Sequence, residues 1–255
     1  MSNVEQKNNT VKRILNVQDV SIFDGDHPLI QSISLSVNQG DFHCIIGESG
    51  SGKSLLTRTI LNMKHRKLHY LGNIDIDLNK TDAVFQDVHS NMFQNITLAK
   101  QFKYLFEASQ SKLSAEEQYE EILKLMKVFG LENGEALWNC YPFELSGGMA
   151  QRVAFMMALI RRPKCLILDE PTTALDKENC HNLMQYLGDM YLQNEMTVIF
   201  VTHDINLVKA YATHISIMKV GQIIESGDKE TVLNHPKHEY ARKLMSIARR
   251  REAYA

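Results

Sequence analysis

A glycine-rich segment with a lysine and a hydroxyl residue at its end is the first place where this sequence could do chemistry. The pattern G-x-x-x-x-G-K-[ST] is matched by Gly47-Glu48-Ser49-Gly50-Ser51-Gly52-Lys53-Ser54, and the apolar run Phe42–Ile46 precedes it. Glycines let the backbone curl until its N–H groups point at phosphate oxygens, and a helix that begins there adds its positive end. We therefore predict a nucleotide-phosphate loop in which Lys53 reaches the β- and γ-phosphates and Ser54 is a Mg²⁺ ligand.

Two acidic residues follow a second apolar run. Leu166-Ile167-Leu168 leads directly into Asp169 and Glu170. A strand buried on both faces presents its last side chains at the carboxyl edge of a parallel sheet, where we also expect the phosphate loop. We predict that Asp169 holds Mg²⁺ through water, and that Glu170 orients and deprotonates the water that attacks the γ-phosphate. The alternative is an exposed strand end with two solvated acids.

A third segment carries a family resemblance. The run Leu145-Ser146-Gly147-Gly148-Met149-Ala150-Gln151-Arg152 resembles the LSGGQ signature of ABC ATPases, with Met at the fifth position. Ser-Gly-Gly at a helix start is a second anion-binding terminus, and one nucleotide in one chain does not need two. The resemblance implies that Ser146, Gly147, Gly148 and Gln151 contact ATP held by an opposite subunit, so that ATP joins a head-to-tail dimer. The alternative is an ordinary serine-capped helix.

The resemblance assigns roles to further positions. Gln86 resembles the Q-loop glutamine, which senses Mg²⁺ and connects to the membrane partner, and Ala174-Leu175-Asp176 resembles the D-loop at the dimer interface. His203 resembles the switch histidine, which contacts the γ-phosphate and holds Glu170 and water in place. Phe23 stands where the family has a ring that stacks on adenine, with a core position as the alternative. The implied ATP-binding residues are Phe23, Gly47, Glu48, Ser49, Gly50, Ser51, Gly52, Lys53, Ser54, Leu55, Ser146, Gly147, Gly148, Gln151 and Asp176. The implied catalytic residues are Glu170, His203 and Gln86, and the implied Mg²⁺ ligands are Ser54, Gln86 and Asp169.

Three features resemble one branch of the family, the importer ATPases for dipeptides, oligopeptides and nickel complexes. Leu55 replaces a residue that is Thr in most members, the signature reads Gly-Gly-Met, and the tail His235–Leu244 fits His-Pro-x-x-x-Tyr-x-x-x-Leu. Many peptide-importer members carry a longer C-terminus with clustered cysteines, which this sequence lacks. The resemblance therefore implies uptake of nickel, cobalt or another metal chelate, with di- or oligopeptide uptake as the alternative.

Such transporters combine two ATPase subunits with two membrane permease subunits and, indirectly, an extracellular solute-binding protein. The resemblance thus implies a peripheral protein on the cytoplasmic face of the cell membrane, whose ATPase partner is either a non-identical paralogue or a second copy of this chain. An exporter subunit is a less favoured alternative. A DNA-repair ATPase of the superfamily would need long coiled coils between phosphate loop and signature, and a translation factor would need two ATPase units; the sequence has neither.

The composition fits such a subunit. The formal net charge is -2 for 255 residues, so the chain has no global electrostatic attraction for nucleic acid. The apolar run Val153–Ile160 is far shorter than the roughly 20 residues that span a bilayer, and Met1–Thr10 lacks the apolar stretch of a secretion signal. His235 and His238 are close in sequence, but we interpret them as solvated residues rather than metal ligands.

The remaining elements must hold these residues in place. Alternating apolar strands and helices predict an α/β fold: a mainly parallel sheet flanked by helices, an N-terminal antiparallel β subdomain and an inserted helical lobe. We predict one ABC ATPase domain at about residues 12–250, with its core at about 12–86 and 164–227, its lobe at about 87–163 and a helical tail at about 228–250. The short distance from Lys53 to Gln86 predicts that the strands near Asn73–Leu78 are shortened.

Single elements are also predicted. The strands are expected at Arg13–Ile22, Gln31–Val37, Asp41–Ile46, Cys165–Leu168, Thr197–Thr202, His214–Lys219 and Gln222–Glu225. The helices are expected at Leu55–Met63, Lys177–Asn194 and Asp204–Ala212, from Ser114 to Gly130, and in a tail broken at Pro236. Ser114 and Glu117 fit a capping box at the start of one helix.

Overall fold

The computed structural model describes residues 12–131, 134–173, 175–194 and 196–253. Ala174 of the predicted D-loop and the segment Met1–Thr10 therefore lie outside the described residues. The strands are β1 (Arg13–Asp24), β2 (His27–Asn38), β3 (Phe42–Gly47), β4 (Leu68–Ile76), β5 (Thr81–Val84), β6 (Cys165–Asp169), β7 (Thr197–Thr202), β8 (His214–Lys219) and β9 (Gln222–Asp228). The α-helices are α1 (Lys53–Ile60), α2 (Leu98–Ala108), α3 (Ala115–Val128), α4 (Gly134–Trp138), α5 (Gly147–Ile160), α6 (Lys177–Asn194), α7 (Ile205–Tyr211), α8 (Lys229–Asn234) and α9 (Glu239–Ala253).

A six-stranded sheet forms the centre of the fold, in the order β5-β6-β7-β3-β8-β9. Every neighbouring pair is parallel except β8 and β9, which form the predicted hairpin. The mainly parallel sheet is thus confirmed. The sequence reasoning missed β5, because Thr81–Val84 is only four residues long and lacks the continuous apolar pattern of the inner strands.

The inner strands bury both of their faces. Ile46, Leu168 and Phe200 point into the apolar cluster that contains the helical segment, whereas their sequence neighbours point to the other side. Successive side chains of a strand alternate between faces, so a strand covered on both sides must be apolar throughout. Burial of each such side chain stabilises the fold by about 1.5–3 kcal/mol, which explains the continuous runs seen in the sequence.

The second face of the central sheet packs on α1 and on a three-stranded antiparallel sheet with the order β2-β1-β4. This confirms the N-terminal antiparallel subdomain. The segment between α1 and β5 contains a single strand, β4, which pairs with β1 from Leu68 to Ile76. The shortening expected near Asn73–Leu78 stays a prediction.

Helices α2 to α5 form the segment that the sequence predicted to be a helical lobe. Ser114 Oγ accepts from the Glu117 N–H at 3.2 Å and a Glu117 carboxylate oxygen accepts from the Ser114 N–H at 2.7 Å, which confirms the capping box. Buried side chains such as Phe102 and Phe155 belong to the same apolar cluster as Phe200 of β7. The helical segment therefore packs directly on the central sheet.

The tail is helical on both sides of Pro236, as predicted, with α8 before it and α9 after it. The hairpin turn between β8 and β9 has a positive φ at both Val220 and Gly221. A Cβ on Gly221 would lie 2.3 Å from the Leu29 carbonyl oxygen, so only glycine fits this close approach. Among the described residues, none of the helices has the length and apolar character needed to cross a bilayer.

Candidate nucleotide site

The glycine-rich loop joins β3 to α1, as the sequence predicted. Gly50 and Gly52 adopt φ values of 79° and 102°, and Gly52 is the left-handed residue at which α1 begins. A Cβ on Gly47 would lie 2.2 Å from the Met218 carbonyl oxygen of β8. Three of the glycines are therefore required by backbone conformation or by space, and the loop lies at the carboxyl edge of the parallel sheet.

Lys53 lies beneath this loop and is only 4% exposed. Its Nζ donates hydrogen bonds to the carbonyl oxygens of Gly47 at 2.8 Å and Glu48 at 2.9 Å. Burial lowers the pKa of Lys53, while the nearby carboxylates of Glu170 and Asp169 raise it. Ser51 Oγ is buried with no hydrogen-bond partner within the described residues. A loop with a buried cation and an unpaired hydroxyl is suited to bind an anion.

Asp169 is the last residue of β6 and is 2% exposed. Burial is the main cause that raises the pKa of Asp169, the charge of Glu170 raises it further, and a hydrogen bond from the Ser54 side chain opposes both. One carboxylate oxygen, Oδ1, has no hydrogen-bond partner in the described part of the chain. A carboxylate oxygen and a serine hydroxyl side by side are the hard oxygen ligands that Mg²⁺ prefers, so the residues fit this ion.

Glu170 follows in a left-handed conformation with φ 49°, which is costly for a non-glycine residue. Its N–H donates to the Val201 carbonyl oxygen at 2.9 Å, and its Oε2 lies 3.5 Å from Nδ1 of His203. The His203 side chain is 67% exposed, so it reaches from Glu170 toward the open surface. Strand β7 lies between β6 and β3, and its end therefore places His203 between the acids and the phosphate loop.

Two further predicted residues lie close to the ends of strands β5 and β1. Gln86 is exposed and comes two residues after Val84, which pairs with Leu168 of β6. Phe23 is half-buried near the end of β1, with its ring centroid 6.4 Å from that of His69. The neighbouring strand β2 carries Ile30, whose side chain reaches within 3.0 Å of the position of a Cβ on Gly52.

The signature segment forms the start of α5. Ser146 is the N-cap, and its Oγ accepts from the Met149 N–H at 3.3 Å. Ser146 and Gly147 are exposed, and no atom would contact a Cβ on Gly147 within 4 Å. Gln151 differs, because it is 1% exposed and its side chain therefore does not share the surface of Ser146. The direct ATP contact predicted for Gln151 is not available to its side chain in this conformation.

Arg152 connects the signature helix to the predicted D-loop, a contact that the sequence reasoning missed. Its Nε donates to the Gly148 carbonyl oxygen at 3.1 Å, and its Nη1 donates to the carbonyl oxygen of Gly130 and to Oδ1 of Asn179 at 2.9 Å. Asn179 in turn donates its backbone N–H to Asp176 at 2.8 Å and its side-chain amide at 2.6 Å. These hydrogen bonds lower the pKa of Asp176 and fix its exposed carboxylate at the start of α6.

A glycine-rich loop at the carboxyl edge of a parallel sheet, with two adjacent carboxylates at the end of β6, is the arrangement expected of a P-loop nucleotide hydrolase. The model of the ABC transporter family matches residues 30–173, which is more than half of the 255 residues. The chain belongs to the ABC transporter family. It is accordingly a nucleotide-binding, ATP-hydrolysing, transport-coupled ATPase.

Relatives and solved structures agree with this assignment. The chain is 31% identical over 257 residues to the metal-staphylopine import system ATP-binding protein CntD of Staphylococcus aureus, covering 93% of this chain and 94% of that protein. It is 30% identical to the oligopeptide transport ATP-binding protein OppD of Bacillus subtilis, and the match covers 92% of this chain and 72% of that protein. The chain also superposes on the ATP-binding cassette MJ0796, solved as a post-hydrolysis dimer bound to ADP and Pi, with a TM-score of 0.73 at 27% identity. This match covers 85% of this chain and 99% of the MJ0796 chain. The predicted resemblance to importer ATPases and the predicted fold are thus confirmed.

Proposed function

We propose that this chain binds MgATP at the loop 47–55 and hydrolyses it to drive import through a membrane permease. The observation that carries the proposal is the convergence of Lys53, Asp169, Glu170 and His203 at one edge of the sheet. Lys53 and the loop N–H groups bind the phosphates, and the ring of Phe23 stacks on adenine. The half-buried ring and its place on β1, opposite Pro28 of β2, support this stacking.

In the hydrolytic step, Glu170 accepts a proton from water while the water oxygen forms a bond to the γ-phosphorus. The bond between that phosphorus and the β–γ bridging oxygen breaks, and ADP leaves with the bond's electron pair. His203, whose ring nitrogen is 3.5 Å from Glu170, holds the carboxylate and the γ-phosphate in place. Mg²⁺ would be held by Ser54, Gln86 and, through water, Asp169, and it would neutralise charge on the phosphates.

A second ATPase subunit completes the site. Ser146, Gly147 and the N–H of Gly148 form a helix start whose first residues face solvent rather than the rest of their own chain, which supports a role toward the ATP of an opposite subunit. Asp176 is exposed and held by Asn179, which suits a contact across the same interface. The opposite subunit is a non-identical paralogue or a second copy of this chain.

The permease docks on the surface that follows Gln86. A groove of about 370 Å³ lies there, with Phe93, Tyr104 and Met157 on its walls. Phe93 is 69% and Tyr104 is 52% exposed, and both line the same groove, so they form an apolar patch of the kind that a partner protein covers. This surface would place the chain on the cytoplasmic face of the membrane, bound through two permease subunits that receive cargo from an extracellular binding protein.

The substitution Glu170→Gln tests the hydrolytic assignment. Glutamine keeps the shape of the side chain but accepts no proton, so we expect ATP turnover to fall by roughly 10²- to 10⁴-fold while ATP binding persists. The variant should accumulate as an ATP-bound dimer in size-exclusion chromatography. Glu116→Gln, on the exposed first turn of α3, is the matched control and should retain activity. Steady-state hydrolysis by Glu170→Gln near the normal rate would remove Glu170 from its role.

The cargo is proposed from likeness alone: nickel, cobalt or another metal chelate, with di- or oligopeptides as the alternative. The metal-staphylopine import protein supports the first and the oligopeptide transport protein supports the second. Deleting the gene and measuring accumulation of labelled nickel, cobalt and a dipeptide separates the two. Unchanged metal uptake with lost peptide uptake would move the assignment to peptide import.

A further inference from the structure

Two exposed segments of the chain would face the second ATPase subunit, although they are distant in the sequence. One is the start of α5, where Ser146 and Gly147 are exposed, and the other is the start of α6, where Asp176 is exposed. Simultaneous contact with one ATP-bound partner requires that these two segments keep a fixed position relative to each other. Arg152, in the second turn of α5, connects them.

The guanidinium of Arg152 binds three segments of the chain at once. Its Nε donates to the Gly148 carbonyl oxygen at 3.1 Å. Its Nη1 donates to the carbonyl oxygen of Phe129 at 3.1 Å, directly after α3, and to Oδ1 of Asn179 in α6 at 2.9 Å. Because the guanidinium is planar and rigid, the directions of its N–H groups fix these acceptors relative to one another.

The contact with Gly148 bears on the serine of the signature segment. Ser146 Oγ accepts from the Met149 N–H at 3.3 Å, and this N–H belongs to the same peptide group as the Gly148 carbonyl oxygen. One planar peptide group is therefore held by the Ser146 hydroxyl on one side and by Arg152 on the other. A displacement of Arg152 would move the group that the Ser146 hydroxyl contacts.

The contact with Asn179 bears on Asp176 in the same way. Asn179 donates its backbone N–H to Asp176 Oδ1 at 2.8 Å and its side-chain amide to Oδ2 at 2.6 Å. Both carboxylate oxygens of Asp176 are thus held by the residue that accepts from Arg152. Gly130 allows this close approach, because its φ is 63° and a Cβ there would lie 3.3 Å from Asn179 Oδ1. Hydrogen bonds therefore connect Ser146 to Asp176 without a break.

We propose that Arg152 is a positioning residue for ATP hydrolysis in the dimer, which holds the Ser146 hydroxyl and the Asp176 carboxylate in the arrangement that fits the ATP-bound opposite subunit. This inference rests on the proposed pairing of two ATPase subunits. Arg152 acts through Gly148 and Asn179, outside the phosphate loop of its own chain. Its loss should therefore lower turnover in the assembled transporter, while ATP binding to the isolated chain should persist.

The substitution Arg152→Lys keeps the charge but replaces the planar group by a single ammonium, which cannot hold Gly148 and Asn179 in fixed directions. The kcat for ATP is measured in the assembled transporter, and ATP-analogue affinity and melting temperature are measured for the isolated full chain. We expect kcat to fall about tenfold, the effect of one lost hydrogen bond to a charged group, and the affinity to stay within about twofold. The control Arg162→Lys, at an exposed ion pair with Glu121, should match the wild type in all three measurements.

A second variant separates this role from the packing of the arginine. Asn179→Asp keeps an acceptor for Arg152 and nearly the same shape, but it removes the amide that donates to Asp176 and places a like charge beside it. We expect kcat to fall in this variant too, again with ATP affinity of the isolated chain preserved. Arg152→Lys should lower kcat by a smaller factor in the Asn179→Asp background than in the wild type, because both substitutions disturb the same carboxylate.

Wild-type kcat in Arg152→Lys or in Asn179→Asp would overturn the proposal, whatever the melting temperature. Equal effects of Arg152→Lys in both backgrounds, or a matching loss of ATP affinity in the isolated chain, would overturn it as well. Ser146→Arg distinguishes the two levels. If it leaves turnover of the assembled transporter intact, the pairing of ATPase subunits is wrong, and the role of Arg152 is overturned with it. If turnover collapses in Ser146→Arg but persists in Arg152→Lys, only the role of Arg152 is wrong.

Discussion

The substitution Asp169→Asn is expected to stabilise the protein in the absence of ligand and to reduce the stabilisation by MgATP. Asparagine has almost the same shape and can still accept the hydrogen bond from the Ser54 side chain. The charge that it removes is buried at 2% exposure, with Oδ1 unpaired among the described residues. One substitution should therefore have two effects of opposite sign.

The ligand-free protein should become more stable because burial and the neighbouring Glu170 raise the pKa of Asp169 above its usual value. An acid with a raised pKa in the folded state contributes stability below its unfolded pKa, and this contribution is lost as the pH rises through the folded pKa. At pH 7.5 the ionised form therefore destabilises the fold, because a buried polar group without its partners costs about 1–3 kcal/mol. A protein of this size gains about 2–4 °C in melting temperature per kcal/mol, so we expect Asp169→Asn to melt a few degrees higher.

Calorimetric melting with and without MgATP measures both effects. MgATP at about 100-fold above its Kd should raise the free energy of unfolding of the wild type by about 2.7 kcal/mol. In Asp169→Asn this stabilisation should lack the part that depends on Mg²⁺. The exposed control Asp75→Asn should change neither quantity by more than about 0.5 kcal/mol. A lower melting temperature of ligand-free Asp169→Asn, or an unchanged MgATP shift, would refute the reasoning. The difference in melting temperature between ligand-free Asp169→Asn and the wild type should also shrink as the pH is lowered, because the wild-type carboxylate then protonates.

Two more predictions address the dimer and the pH dependence of stability. Ser146→Arg puts a long charged side chain on an exposed helix start, so ATPase activity of the assembled transporter should collapse while the isolated subunit still binds ATP; loss of binding by the monomer would place Ser146 in its own chain's site. Burial raises the pKa of Asp82 to about 6 despite its 2.7 Å ion pair with Arg161. The contribution of Asp82 to stability is present below its unfolded pKa and is lost as the pH rises through about 6. The free energy of unfolding measured in urea should therefore fall by about 2–3 kcal/mol between pH 4 and pH 7. Asp82→Asn should remove that pH-dependent loss of stability. A variant that lost as much stability as the wild type over the same pH range would contradict this role of Asp82.

The glycine-rich loop, the acid pair and the signature segment could be singled out in the sequence because each is a contiguous stretch whose chemistry is local. The glycines of 47–52 are dictated by backbone conformations within the same turn, and Asp169 and Glu170 follow directly from the apolar strand that carries them. The capping box at Ser114 is local in the same sense. The continuous apolar pattern of β3, β6 and β7 also predicted a sheet buried on both faces, since a strand with two covered faces has no polar side.

The strand order was decided only by the tertiary structure. Placing β7 between β6 and β3 brings His203 to within 3.5 Å of Glu170, although 33 residues separate them in sequence. Likewise Arg152 meets Asn179, Gln151 turns into the core, and Tyr240 of α9 lies against Lys219 of β8. Local periodicity tells which face of an element is apolar but not which distant element will cover it, because that choice is made by the packing of the whole chain. The sequence alone therefore determined the chemistry at each strand end, and the tertiary structure decided which of these ends share one site.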